Sequence, residues 1–177
     1  MMTRAELEHA IRAACDVADE TELWIFGSQS ILGQHPEAPP ALRHSVEVDV
    51  SPKNKPGAAE LIDGALGELS PFHNTHGFYV HALSLGAATL PGGWQERTVL
   101  VQNRATRDNK GHCLETHDLA ASKLVAFREK DRDFVRTLLV EELISADELL
   151  ARISTLPVDT EVASRLAQWV EATAREL

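Results

Sequence analysis

The chain has 177 residues, 44% hydrophobic and 25% charged, with a formal net charge of −10. That length allows one domain with its own core, or a core plus a helical appendage. The acidity argues against bulk electrostatic binding of nucleic acid, and no apolar run approaches the ~20 residues that cross a bilayer.

The opening Met1-Met2-Thr3-Arg4-Ala5-Glu6 lacks the apolar stretch of a secretion signal. Cys15 and Cys113 have no ligand-like spacing, so a reduced, cytoplasmic setting is expected. The charge is uneven. Residues 71–140 carry nine basic and seven acidic side chains, whereas the flanking stretches are strongly acidic. A locally positive segment can focus a field on an anionic substrate in an acidic protein.

In chain order, residues 3–18 predict an amphipathic helix, with Thr3 and Glu6 as a capping box and Leu7, Ile11, Ala14 and Cys15 on one stripe. Leu23 to Phe26 predicts a short buried strand, and Ser28 to Leu32 a short helix. Residues 33–40 hold three prolines and predict a loop. Val46 to Ser51 predicts a strand. Residues 58–69 predict a helix with Leu61, Ile62, Ala65, Leu66 and Leu69 inward. Phe78 to Leu85 and Arg97 to Gln102 predict strands joined through the tight Leu90-Pro91-Gly92-Gly93-Trp94 stretch. Residues 104–111 predict a basic loop, followed by a short strand at Cys113-Leu114. From Thr116 the period becomes helical: His117–Phe127, Asp131–Glu142, Ser145–Ile153 and Asp159–Glu176. The first two are read as separate helices or one bent rod, and Asp131 as a cap of the second. The order predicts an α+β fold: a mixed-sheet core over residues 1–114 and a helical subdomain over 115–177, packed on the core.

Chemistry concentrates at two places on the first half of the chain. Glu47 and Asp49 flank Val48, and alternation puts both carboxylates on one strand face. Acids are depleted in strands and costly to bury unless a cation neutralises them. Two such carboxylates are hard oxygen ligands of the kind Mg²⁺ takes, with substrate phosphates completing the shell. Upstream, Gly27-Ser28 closes a strand with a turn whose backbone N–H groups can seat a phosphate. The plainer alternatives are an edge strand with its polar face in water and a simple turn capped by Ser28. His81, His112 and His117 lack partners at metal-ligand spacing and read as structural or surface histidines.

Taken together, the hydrophobic-Gly-Ser turn and the acid-x-acid strand resemble the polymerase-beta-type nucleotidyltransferase superfamily. With Leu90-Pro91-Gly92-Gly93-Trp94, the Cys113 to Ala126 stretch around Lys123, and Arg128-Glu129-Lys130-Asp131, the chain resembles a small family of bacterial nucleotidyltransferases. That family is distantly similar to the AbiE-type nucleotidyltransferase toxins. The resemblance covers most of residues 20 to 140. It implies a metal-dependent enzyme that moves an NMP from an NTP to an RNA or protein hydroxyl, using Mg²⁺ or Mn²⁺. Glu47 and Asp49 would be metal ligands and catalytic. Gly27 and Ser28 would seat phosphates, and Lys123, Arg128 and Lys130 would meet nucleotide phosphates. Lys123 and Asp131 would join the catalytic set. Lys123 and Lys130, seven apart, would share a face on one continuous helix. A tRNA or protein acceptor and an antitoxin partner are implied, and no membrane.

Two departures bear on this. The Ser28–Glu47 interval is stretched by prolines, and the strand 78–85, where many members carry a third carboxylate, holds no acid. His81 or Ser84 stands at the corresponding place, and Asp118 or Asp131 could supply the missing oxygen. The second hypothesis is therefore a degenerate module that binds a nucleotide or a partner protein, and a third is one half of a toxin–antitoxin pair.

Overall fold

Thr3 opens the first helix in the computed structural model, which describes residues Met1 to Leu177. Its hydroxyl accepts from the Glu6 N–H, and the Glu6 carboxylate accepts from the Thr3 N–H at 2.7 Å, so the capping box is formed. Helix α1 (Arg4–Ala18) buries Leu7, Ile11, Ala14 and Cys15, the stripe read from the sequence, together with Ala10 and Ala18. Asp19, at a left-handed φ of 49°, ends it.

The chain divides into two units, one of residues Met1–Ala87 and Thr98–Leu114, the other of Ala88–Arg97 and Glu115–Leu177. The first unit is built on five strands: β1 (Glu22–Phe26), β2 (Glu47–Pro52), β3 (Tyr79–Ala82), β4 (Val99–Val101) and β5 (Lys110–Cys113). Their order is β3-β2-β1-β5-β4. β1 runs antiparallel to β2 and parallel to β5, β2 runs parallel to β3, and β4 runs antiparallel to β5. The sheet is mixed and the architecture α+β, as the order of elements implies.

One face of this sheet is apolar for a simple reason. Val48 and Val50 of β2 and Val80 and Ala82 of β3 all fall on it by alternation, and all are buried. Helix α1 lies against β1, β2 and β3, α2 (Ile31–Gln34) against β4 and β5, and α3 (Ala59–Leu66) against β3. Gly111 of β5 lets α1 come close, since a Cβ there would sit 2.4 Å from the Ile11 Cδ1. The same alternation turns Glu47, Asp49, Tyr79 and His81 to the opposite face.

Several elements depart from the sequence reading. Helix α3 stops at Leu66, where Gly67 turns extended, so Leu69 lies beyond it and is exposed; within the helix only Ile62 and Leu66 are buried, and Leu61 and Ala65 face outward rather than inward. A further helix, α4 (Pro71–His76), follows Ser70, whose hydroxyl accepts from the His73 N–H. It buries none of its own residues, so no periodic stripe announced it. Residues 104–111 are not all loop: Lys110 already starts β5. Lys-Gly-His-Cys carries little β propensity, and its place between β1 and β4 makes it a strand.

The second unit contains α5 (Trp94–Arg97), α6 (Thr116–Ala126), α7 (Glu129–Val140), α8 (Ala146–Ile153) and α9 (Thr160–Glu176). Arg97 ends a helical turn instead of starting a strand. Its guanidinium grips the fully buried Asp118 through two bonds of 2.8 Å, and Arg152 adds a third cationic contact at 3.0 Å. Phe127 takes a left-handed φ of 53° and separates α6 from α7, so there is no continuous rod. Arg128 is the cap of α7, and Asp131 sits in its first turn rather than at its cap. The Ser145 hydroxyl caps α8 by accepting from the Glu148 N–H, and α9 buries Leu166, Val170 and Thr173.

Candidate functional site

Strand β2 supplies the first two groups. Its pairing with β1 sets Asp49 opposite Phe26, the last residue before Gly27. Gly27 adopts φ 63°, and a Cβ on it would fall 2.1 Å from Asp49 Oδ2. A side chain there would strike the carboxylate, so glycine is what allows the turn and Asp49 to meet. The turn continues as a 3-10 segment, Ser28–Ser30, with the Ser30 hydroxyl donating to the Gly27 carbonyl at 2.8 Å. Gly27 holds the cap position, so Ser28 is not the cap, and the first N–H groups of such a turn lack partners inside it. Gln29, fully buried, donates to the Ser45 carbonyl at 3.0 Å and fixes the approach to β2.

Strand β3 supplies the rest. Its parallel register places Tyr79 beside Glu47 and His81 beside Asp49. The Tyr79 phenol is pushed upward by burial, with Glu47, Glu68 and Asp49 adding negative charge and Glu47 a hydrogen bond. Ligand atoms of Glu47, Asp49 and His81 all lie within 4.8 Å of one another. Behind His81, the Asp63 carboxylate of α3 stands 3.5 Å from Nδ1 and accepts the Ala82 N–H at 2.7 Å. Donors bound at about 2.1 Å to one ion lie within about 4.2 Å of each other, so modest side-chain rotation would close the set around a divalent cation. Two carboxylates and one imidazole suit such an ion chemically.

The second unit holds the other predicted residues. Lys123 projects from α6, its Nζ 3.8 Å from Asp131 Oδ1 and 4.6 Å from the centre of the Phe134 ring. Asp131 is buried, and Arg128 reaches it at 2.6 Å, which raises the guanidinium's own pKa. Both oxygens of Asp131 are thus engaged by cations of its own unit. Lys130 is exposed on α7, and the break at Phe127 removes the shared helix face expected for it and Lys123. Asp118 is committed to Arg97 and Arg152 and has no oxygen to spare.

The other histidines are structural. His117 Nδ1 lies 2.7 Å from Glu115, while its Nε2 accepts the Ser145 N–H at 3.1 Å. His112 Nε2 lies 3.0 Å from Glu22. His81 differs from them in lying beside Asp49 on the strand face that Glu47 shares. The signal was present as alternation, which pairs it with Tyr79 on one strand face. What the sequence lacked was the knowledge that β3 lies beside β2. Asp63 carried no signal, being one acid on a helix.

No curated protein and no solved structure matches the chain. Its residues 5–173, nearly the whole length, match one family. The Gly27 turn against Asp49 and the Glu47/Asp49 face accord with that match: the chain belongs to the family described as Nucleotidyltransferase of unknown function (DUF6036).

Proposed function

We propose that the protein transfers an NMP from an NTP to a hydroxyl of an RNA or a protein, with a divalent cation, Mg²⁺ or Mn²⁺, held by Glu47 and Asp49. One observation carries the reading. Two carboxylates share a strand face directly against a glycine turn that no other residue could form without displacing Asp49. An acceptor hydroxyl oxygen bonds to the α-phosphorus, pyrophosphate leaves with the bonding pair, and the hydroxyl proton passes to solvent. A bound ion supplies charge neutralisation for the phosphates. The chain's own part is positional. Glu47 and Asp49 orient the cation, Tyr79 steadies Glu47 by its hydrogen bond, and the Gly27-Ser28 turn offers N–H and hydroxyl donors to phosphate oxygens.

The resemblance read in the sequence implies phosphate contacts for Lys123, Arg128 and Lys130; within their own unit, Asp131 pairs with Lys123 at 3.8 Å and with Arg128 at 2.6 Å. Calorimetry with Mn²⁺ and a non-hydrolysable NTP tests the reading. Wild-type protein should bind Mn²⁺, more tightly with nucleotide, and the Glu47→Gln/Asp49→Asn variant should not. Equal binding by that double variant contradicts it.

A further inference from the structure

We propose that His81 is the third protein ligand of the cation held by Glu47 and Asp49, and that its imidazole turns the site toward Mn²⁺, Co²⁺ and Zn²⁺ and away from Mg²⁺. This rests on the reading that Glu47 and Asp49 hold metal. It adds a ligand of different chemistry and a metal preference.

The geometry leads there in three steps. First, the parallel register sets His81 directly beside Asp49, on the face that Glu47 shares, with ligand atoms of all three within 4.8 Å. Second, a metal-bound histidine characteristically turns its other ring nitrogen to a carboxylate, which fixes the tautomer and the ring. Asp63 Oδ1 stands 3.5 Å from His81 Nδ1 and is itself anchored by the Ala82 N–H at 2.7 Å. With Nδ1 facing Asp63, Nε2 is the nitrogen left to coordinate. Third, His81 sits on the outermost strand of the sheet, and α3, which carries Asp63, packs on that strand. The pair therefore comes from two elements fixed against each other rather than from a mobile loop.

The preference follows from the donor set. Mg²⁺ favours oxygen donors in a strict octahedron and keeps its waters. Imidazole nitrogen suits softer divalent ions, and affinity rises along the Mn²⁺, Fe²⁺, Co²⁺ series. A site of two carboxylates and one imidazole therefore gains more from Mn²⁺ or Co²⁺ than from Mg²⁺. Asp63 is a positioning residue here, acting through the ring.

Pulsed EPR of the full chain with Mn²⁺, without nucleotide so that no base nitrogen contributes, tests the proposal. Wild-type protein should show coupling to an imidazole ¹⁴N. His81→Ala should lose that coupling and bind Mn²⁺ at least ten-fold more weakly, with circular dichroism and thermal midpoint confirming the fold. His81→Asp should lose the nitrogen signal and shift the Mg²⁺-to-Mn²⁺ affinity ratio at least ten-fold toward Mg²⁺. Asp63→Asn should keep the nitrogen signal and weaken Mn²⁺ about ten-fold, the low end for an outer partner of a metal histidine. Mn²⁺ bound through Glu47 and Asp49 without nitrogen coupling overturns the role of His81 and leaves the parent reading standing. Mn²⁺ that fails to bind, or that binds equally to Glu47→Gln/Asp49→Asn, overturns both.

Discussion

At the scale of single residues, the site depends on an atom that is absent: the Cβ of Gly27. Alanine at φ 63° and ψ −171° would enter a region essentially reserved for glycine, a strain of about 1–3 kcal/mol, and its methyl carbon would sit 2.1 Å from Asp49 Oδ2. Gly27→Ala should therefore lower stability by about that amount in urea denaturation and weaken Mn²⁺ binding at least ten-fold. Undiminished Mn²⁺ affinity would show that Asp49 has no fixed task beside the turn. Glu22 makes a separate case. The hydrogen bond from His112, with help from Asn54 and Lys53, holds its carboxyl down to about 2 from an ordinary 4.5. A depressed acid contributes stability above its unfolded value and loses it as pH falls toward the folded one. Stability should fall between about pH 5 and pH 2, and Glu22→Gln should flatten that fall in denaturation series across the window. Among single residues the acids were legible in the sequence, because Glu47 and Asp49 break a valine strand. Asp63 was not, because one acid on a helix looks like every other solvated acid until its neighbours in space are known.

At the scale of elements, amphipathic periods announced what packs on one side and missed what is held by neighbours. α1, α8 and α9 each carry a stripe and a cap signal. Strand β5, in contrast, is Lys-Gly-His-Cys, and only its position between β1 and β4 makes it extended. The break between α6 and α7 lies at Phe127, an aromatic in left-handed conformation that no propensity scale marks as a helix end. Strand adjacency was the largest gap for the site, because β2 and β3 are separated by two helices and still pair in register. In the helical unit, Asp118 is an element-scale fastening between α5, α6 and α8, fully buried between Arg97 and Arg152. Removing one partner of a buried ion pair leaves the remaining charges uncompensated, at a cost of about 3 kcal/mol. Asp118→Asn should lose about that much in urea denaturation, whereas a loss under about 1 kcal/mol would mean the arginines simply swing into water.

At the scale of the whole molecule, an acidic chain with a net charge of −10 still has one basic stretch, and Lys123 lies in it. Lys123→Ala should weaken NTP binding or slow transfer by roughly ten- to a hundred-fold, the worth of a hydrogen bond to a charged group. Lys123→Arg should recover part of the loss, since the charge remains and the geometry changes. Lys110→Ala, a strand lysine of equal charge, is the comparison, and equal behaviour of the two alanine variants in calorimetry would make Lys123 a pairing partner of Asp131 and nothing more. The central claim is nucleotidyl transfer by Glu47 and Asp49, and one labelling measurement meets it head on. The protein is incubated with Mn²⁺, total RNA and protein extract, and each NTP labelled in turn at the α- or the γ-phosphate. The account predicts label transferred from the α position and none from the γ position, with all transfer lost in Glu47→Gln/Asp49→Asn. Label carried over from the γ position, or α-label transfer that survives in the double variant, would contradict it.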